Sequence, residues 1–204
     1  MSAVEDLLRR SACAGAPPLE RLLERAADDG LVDVAYAEVD SPLGPLLVAS
    51  TPKGLVRVAY PDQSIDDVLG ELSRLVSPRV LEAPARLERE RRQLDDYFAG
   101  RRTGFNIPVD WSLERGFTLR VLRAAARIPP GETISYGEIA TRAGSPRAAR
   151  AAGNALGSNR KPIVVPCHRV VHAGGGLGGY TGGLHRKEFL LGLEGLGGPG
   201  AEGR

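Results

Sequence analysis

The sequence predicts an α+β fold in two parts. The first holds a small antiparallel sheet with helices, and the second is helical and contains a helix-turn-helix. Three observations predict this. Apolar residues alternate with period two between residues 32 and 60, the spacing of strands. From residue 64 onward the spacing is mostly helical. Around Gly144 a capping signature, a glycine stop and a Ser-Pro start follow in quick succession, the punctuation of two short helices joined by a tight turn.

Each element can be justified in order. Residues 1–30 read as a helical extension with leucine stripes, interrupted by Gly15-Ala16-Pro17-Pro18. Padding the fold, joining a partner and partial mobility all stay open for it. Residues 31–110 form the first domain. Strands are expected over 32–39, 46–49 and 55–60, the last two joined by the turn Thr51-Pro52-Lys53-Gly54. Residues 64–76 and 86–99 read as surface helices, the second with a heavily charged, solvated face. Residues 108–112 are the linker, and Trp111, the only tryptophan, is expected to pack rather than to stack on bases.

Residues 111–204 form the second domain. A helix over 116–127 ends at Pro129-Pro130-Gly131. Ser135-x-x-Glu138 is a capping box: the Ser135 hydroxyl accepts from the Glu138 amide while the Glu138 side chain reaches back. The helix that follows runs over 136–142 and stops at Gly144. Ser145 as N-cap and Pro146 as first helical residue then start a helix over 146–156. Its content is slim, with Ala148, Ala149, Ala151, Ala152, Gly153 and Ala155. Arg147, Arg150 and Asn154 share a face at helical spacing. Such a helix can enter a groove or pack closely on a neighbour. A last helix is expected over 186–193.

Composition sets the class and compartment. At 204 residues the chain suits one compact domain or two small ones. It has no membrane-length apolar run and no secretory signal pattern at its start. Cys13 and Cys167 are the only cysteines, so neither a disulfide framework nor zinc-ligand spacing is present. A reducing cytoplasm is the expected setting. Lysine is scarce, with only Lys53, Lys161 and Lys187, and the bias to Arg, Ala, Gly and Pro points to a high-GC bacterial genome. Residues 1–100 hold 12 Lys/Arg against 18 Asp/Glu, whereas residues 101–204 hold 15 against 7. A net −6 half joined to a net +8 half suggests that the second part presents a polyanion-binding face.

Chemistry concentrates at Pro166-Cys167-His168-Arg169-Val170. This stretch follows the apolar run Ile163-Val164-Val165, expected as a buried strand, and precedes a loop with glycine at 174, 175, 176, 178 and 179. A cysteine beside a histidine next to a glycine loop reads as a nucleophile facing a pocket. Gly174-x-Gly176-x-x-Gly179 matches a dinucleotide fingerprint only formally, because no helix opens at its end and no βαβ unit surrounds it. The glycines instead allow the backbone to approach a bound group closely.

Pro-Cys-His-Arg-Val resembles the acceptor-cysteine signature of the O6-alkylguanine-DNA alkyltransferases, also called methylated-DNA–protein cysteine methyltransferases. Other motifs fall in the family's order: Gly131-Glu132-Thr133-Ile134-Ser135-Tyr136, Arg147-Ala148-Ala149-Arg150-Ala151, Asn159, and Gly179-Tyr180-Thr181-Gly182-Gly183-Leu184. The resemblance runs from about residue 34 to residue 194. It implies a ribonuclease-H-like first domain and a second domain that reads DNA with its helix-turn-helix.

It also implies roles. Cys167 would accept the alkyl group, with His168 and Glu194 relaying its proton through a water. Tyr136 would neutralise the departing base, and Asn159 would brace the turn before the cysteine. Val170, Gly179, Tyr180 and Thr181 would form the pocket. Arg150 would enter the base stack from the minor groove in place of the flipped nucleotide, and Arg147, Ser135, Asn154 and Arg160 would contact DNA. The partner is double-stranded DNA carrying O6-alkylguanine, with O4-alkylthymine as a further substrate. The protein is expected as a monomer without membrane association, acting at the bacterial nucleoid; cooperative assembly on DNA stays open. No cofactor or metal is implied.

This sequence departs from the family in two places. Arg160-Lys161 follows Asn159 where many members have proline directly, which loosens the turn or adds phosphate contacts. Leu122 stands where the family often has an aromatic. The rivals are weaker. A lesion-sensing DNA-binding module would not need Cys167-His168, a cysteine hydrolase has no supporting motif, and a zinc nucleobase deaminase needs Pro-Cys-x-x-Cys and His-x-Glu, both missing here.

Overall fold

The computed structural model describes residues 31–196. The expected helical extension at 1–30, and Cys13 within it, lie outside the described residues. Strands β1 (Val34–Val39), β2 (Leu46–Thr51) and β3 (Gly54–Ala59) form the expected antiparallel meander. Helix α1 (Ile65–Leu75) follows, its Ser64 hydroxyl accepting from the Asp67 amide. Strand β4 (Val80–Glu82) then joins β1 in parallel, giving the order β3-β2-β1-β4. The sheet is therefore mixed rather than purely antiparallel. Three half-buried or exposed residues are too few to show a period-two pattern, so β4 left no sequence signal.

Both faces of the sheet are covered. Val34, Leu47, Ala49 and Val56 pack on Val68 and Leu72 of α1. The opposite face, with Ala37, Leu46, Val48 and Leu55, packs on Leu87, on Leu94 and Tyr97 of helix α2 (Glu88–Phe98), and on Ile163, Val164 and Leu190 from the second part. That shared core fixes the two parts against each other. The linker lies along β3: the Leu55 amide donates to the Pro108 carbonyl at 2.8 Å and the Asp110 amide to the Leu55 carbonyl at 2.9 Å. Only glycine fits at Gly54, where φ is +123° and a Cβ would stand 2.2 Å from the Pro108 carbonyl oxygen. Trp111 packs on the second core, with the Lys161 ammonium 5.1 Å from its ring centroid.

The second part contains helices α3 (Gly116–Ala125), α4 (Tyr136–Arg142), α5 (Ala149–Gly157) and α6 (Leu184–Leu193). Ser135 caps α4 as expected, accepting from the Glu138 amide at 3.1 Å. The reciprocal half of the box is absent, because Glu138 Oε1 takes Arg142 Nη2 at 2.6 Å instead. Gly144, at φ +77°, ends α4. The Gly144 amide donates to the Thr141 carbonyl and the Ser145 amide to the Ala140 carbonyl, the paired bonds of a glycine-terminated helix.

Helix α5 starts three residues later than the Ser-Pro signal suggested. Ser145 to Ala148 form a turn closed by the Ala148 amide on the Ser145 carbonyl at 2.9 Å, and Ala148 caps α5 without a side-chain bond. Serine and proline suit the first two positions of such a turn as well as a helix start. Arg147 consequently lies before α5, not on its face with Arg150. Ala152, Ala155 and Leu156 are buried, and α5 packs on α3 and α4.

Candidate active site

Ile163-Val164-Val165 is buried but is not a strand. The Val164 amide donates to the Pro162 carbonyl at 2.9 Å across Ile163, whose φ is +73°. The Cys167 amide closes a second three-residue turn on the Val165 carbonyl at 2.8 Å, with Pro166 at φ −80° and ψ 63°. A β-branched residue at positive φ is strained by about 1–3 kcal/mol and persists only where packing over-determines it. Ile163 is fully buried in the core shared by both parts. These turns deliver Cys167 onto a single helical turn, Cys167–Arg169, rather than onto a strand end.

A short parallel ladder brings the tyrosine to the cysteine. Strand β5 (Ile134–Ser135) pairs with strand β6 (Val170–Val171), so Tyr136 starts α4 beside the Cys167 turn. A cavity of about 610 Å³ opens there. Cys167 lines it together with Tyr136, Arg150, Gly153, His172, Gly179, Tyr180 and Thr181. Tyr136 donates its hydroxyl to the Gly179 carbonyl at 3.2 Å. A Cβ on Gly178 would stand 2.6 Å from that hydroxyl, so the glycine loop is pressed onto the tyrosine. Val170, expected in the pocket, is instead fully buried beneath it.

The thiol has a specific surround. Asn159 donates its side-chain amide to Cys167 Sγ at 3.0 Å and to the Val165 carbonyl at 2.9 Å. Burial pushes the thiol up to about 11, against the Asn159 hydrogen bond and the positive charge of Lys187. Behind it, His168 Nε2 lies 3.1 Å from Glu194 Oε1, and both side chains are almost wholly buried. Burial lowers the histidine's affinity for a second proton, outweighing the carboxylate beside it. Burial works against ionisation of Glu194 too, but hydrogen bonds from His168 and Arg169 hold its carboxyl down to about 2. A neutral imidazole donating from Nε2 to a carboxylate leaves Nδ1 as its acceptor. Among the described residues, His168 Nδ1 has no hydrogen-bond partner.

Four supporting residues escaped the sequence reading. Arg169 sends Nε to Glu194 Oε2 at 2.8 Å, Nη2 to Oε1 at 2.7 Å and Nη1 to the Ile128 carbonyl at 2.6 Å. Tyr97 of α2 donates to Glu194 Oε1 at 2.7 Å, reaching across from the first part. Tyr60 meets Tyr180 hydroxyl to hydroxyl at 2.7 Å. Lys187 is fully buried and donates to the Val170 and Leu177 carbonyls, and burial brings its ammonium down to about 8 despite the nearby Cys167. One signal could have flagged Lys187: it is one of three lysines and precedes the apolar run Phe189-Leu190-Leu191.

The expected DNA-contact residues separate. Arg150 and Asn154 are exposed on α5 and Arg147 is exposed just before it; of the three, Arg150 lines the cavity. Ser135 is half-buried and engaged as a cap. Arg160 is half-buried and already paired. Its Nε and Nη2 donate to Glu71 Oε1 of α1 at 3.1 and 2.9 Å, and its carbonyl accepts from the Val58 amide at 2.8 Å. Lys161 is buried in a pair with Glu114 at 2.7 Å. The two added charges therefore tie the turn to the first part and the linker. Among the described residues, no group of three or more His, Cys, Asp and Glu side chains could hold a metal ion.

The family model described as 6-O-methylguanine DNA methyltransferase, ribonuclease-like domain, matches residues 34–111, and the one for its DNA binding domain matches residues 116–196. A methylated-DNA–protein-cysteine methyltransferase of Mycolicibacterium paratuberculosis is 45% identical over 163 residues, covering 79% of this chain and 92% of the relative. The chain belongs to the methylated-DNA–protein-cysteine methyltransferase family. An inducible methyltransferase of Bacillus subtilis is 38% identical over 148 residues, covering 72% of this chain and 82% of that one. The crystal structure of Mycobacterium tuberculosis O6-methylguanine methyltransferase superimposes with a TM-score of 0.68 at 41% identity, covering 82% and 96% of the two chains. A second, of Mycobacterium tuberculosis OGT in complex with DNA, gives 0.67 at 41% identity over 78% and 92%. The methyltransferase is thus an α+β protein with a ribonuclease-like first part and a DNA-binding second part.

Proposed function

We propose that this methyltransferase repairs DNA directly, moving an alkyl group from guanine O6 to Cys167. The observation that carries the proposal is the placement of Cys167 in a cavity wall, with Asn159 at its sulfur and the buried His168 and Glu194 pair behind it. Burial holds the thiol above its ordinary value, so at pH 7 it is protonated and its proton must leave as the attack proceeds. His168 Nδ1 takes it through a water. The sulfur lone pair forms the S–C bond, the C–O6 bond breaks, and its electron pair stays on the guanine. Tyr136 supplies the hydrogen bond and then the proton that neutralises the leaving base, and the proton held by the imidazolium passes through water to the tyrosinate, restoring both side chains. The product thioether is a poor leaving group, so each chain reacts once.

O6 lies on the pairing edge, so the base must leave the stack to reach Cys167. Arg150 at the cavity mouth fits the vacated space and offsets part of the unstacking, about a few kcal/mol per step. Arg147 and Asn154 hold the backbone beside it. The residues at 31–110 and 111–204 form two domains with one task, in a monomer working on duplex DNA in a reducing cytoplasm. O4-alkylthymine presents the same chemistry and is a second substrate. Titrating the protein with duplex carrying radiolabelled O6-methylguanine tests the reading. Transfer should plateau at one methyl per chain; continued turnover would refute it.

A further inference from the structure

We infer that Tyr60, from the first part of the chain, limits the size of the alkyl group accepted, by fixing the cavity wall at Tyr180. The inference rests on the alkyl-transfer reading above. Tyr180 lines the cavity with Cys167 and packs against both hydrophobic cores. Its ring stands edge-on to His168, centroids 6.4 Å apart. Its hydroxyl meets that of Tyr60 at 2.7 Å. Tyr60 is only 4% exposed and is not among the lining residues, so it acts through Tyr180.

Tyr60 is held in turn by the second part. The Arg186 guanidinium lies 4.3 Å from its ring centroid, while Arg186 Nη1 donates to Asp62 Oδ1 at 2.8 Å and to the Gly182 carbonyl at 2.9 Å. Gly182 has no room for a side chain. A Cβ there would stand 2.5 Å from Tyr60 Cε2 and 2.9 Å from Tyr180 Cε1. Arg186, Tyr60, Gly182 and Tyr180 thus form one close-packed stack ending in the cavity wall. A methyl group needs little space beyond the sulfur, whereas a benzyl group extends further and gains room if the Tyr180 wall is displaced. The hydroxyl pair resists that displacement, because moving Tyr180 leaves a buried hydroxyl without its partner.

The test places O6-methylguanine and O6-benzylguanine in the same duplex sequence and measures single-turnover transfer of each. Tyr60→Phe should raise the benzyl-to-methyl rate ratio about fivefold, the size of one lost hydrogen bond. Tyr180→Phe breaks the same contact from the other side and should raise the ratio equally; it decides alone if Tyr60→Phe does not fold. An unchanged or lowered ratio overturns the inference, even where both rates fall together, because that marks a packing role. Wild-type protein that transfers neither group overturns the alkyl-transfer reading instead, and the inference with it.

Discussion

Asn159 aims its side-chain amide at the Cys167 sulfur, 3.0 Å away, and Lys161 keeps it there by donating its main-chain amide to Asn159 Oδ1 at 3.0 Å. The amide cannot flip without losing that bond. It is the main group opposing the burial that raises the thiol. Asn159→Leu should therefore shift the pH profile of Cys167 alkylation by iodoacetamide upward and slow repair at pH 7 about tenfold, the worth of a hydrogen bond to a charged group. The deficit should shrink toward high pH. A pH-independent deficit would assign Asn159 to packing alone.

Glu194 ties stability in acid to the same site. Its carboxyl is held at about 2 in the folded protein against an ordinary 4.5. A carboxyl with a depressed folded value stabilises above its unfolded value, and the contribution fades as pH falls through the window between the two. Glu194→Gln removes it and leaves the buried Arg169 without its carboxylate. Denaturant unfolding at pH 7 should show a loss of about 3–5 kcal/mol. Between about pH 4.5 and 2 the variant's stability should depend less on pH than the wild type's. An equally steep dependence would locate the acid response elsewhere.

Arg150 and the stack can be separated by substrate. Arg150→Ala should slow repair of duplex O6-methylguanine about thirtyfold, the effect of ~2 kcal/mol of lost compensation for unstacking. Reaction with free O6-benzylguanine, which has no stack to leave, should change little. Equal losses on both would make Arg150 a pocket support.

Arg147 and Arg160 should behave differently, although the sequence suggested phosphate contact for both. Arg147 is exposed beside α5, so Arg147→Ala should weaken DNA binding and reduce its salt slope by about one. Arg160 is committed to Glu71, so Arg160→Ala should leave the slope unchanged and lower the melting temperature by about 2–4 °C. A reduced salt slope for Arg160→Ala would restore it to the DNA face.

What the sequence made legible was local. Ser135 and Gly144 act within a few residues of themselves, so the start and stop of α4 could be read directly. Ser145-Pro146 misled because a turn and a helix start use the same two residues. Ile163 looked like a strand residue because apolar, β-branched runs carry no mark of a positive φ imposed by distant packing. The groups around Glu194 come from residues 97, 168 and 169, and Tyr60 meets Tyr180 across 120 positions. Such pairings depend on how the two parts dock, which no local pattern encodes. Cys167, His168, Tyr136 and Glu194 were found through motif order, and the structure brings them around one cavity and the buried pair behind it.

The central claim is that Cys167 accepts the alkyl group. Intact-protein mass spectrometry followed by peptide mapping, after reaction with an excess of duplex O6-methylguanine, tests it most directly. The account predicts a single added methyl on the peptide containing Cys167, with Cys167→Ala unmodified yet still binding DNA. A methyl on Cys13, or an unmodified protein that has nonetheless cleared the lesion, would contradict it.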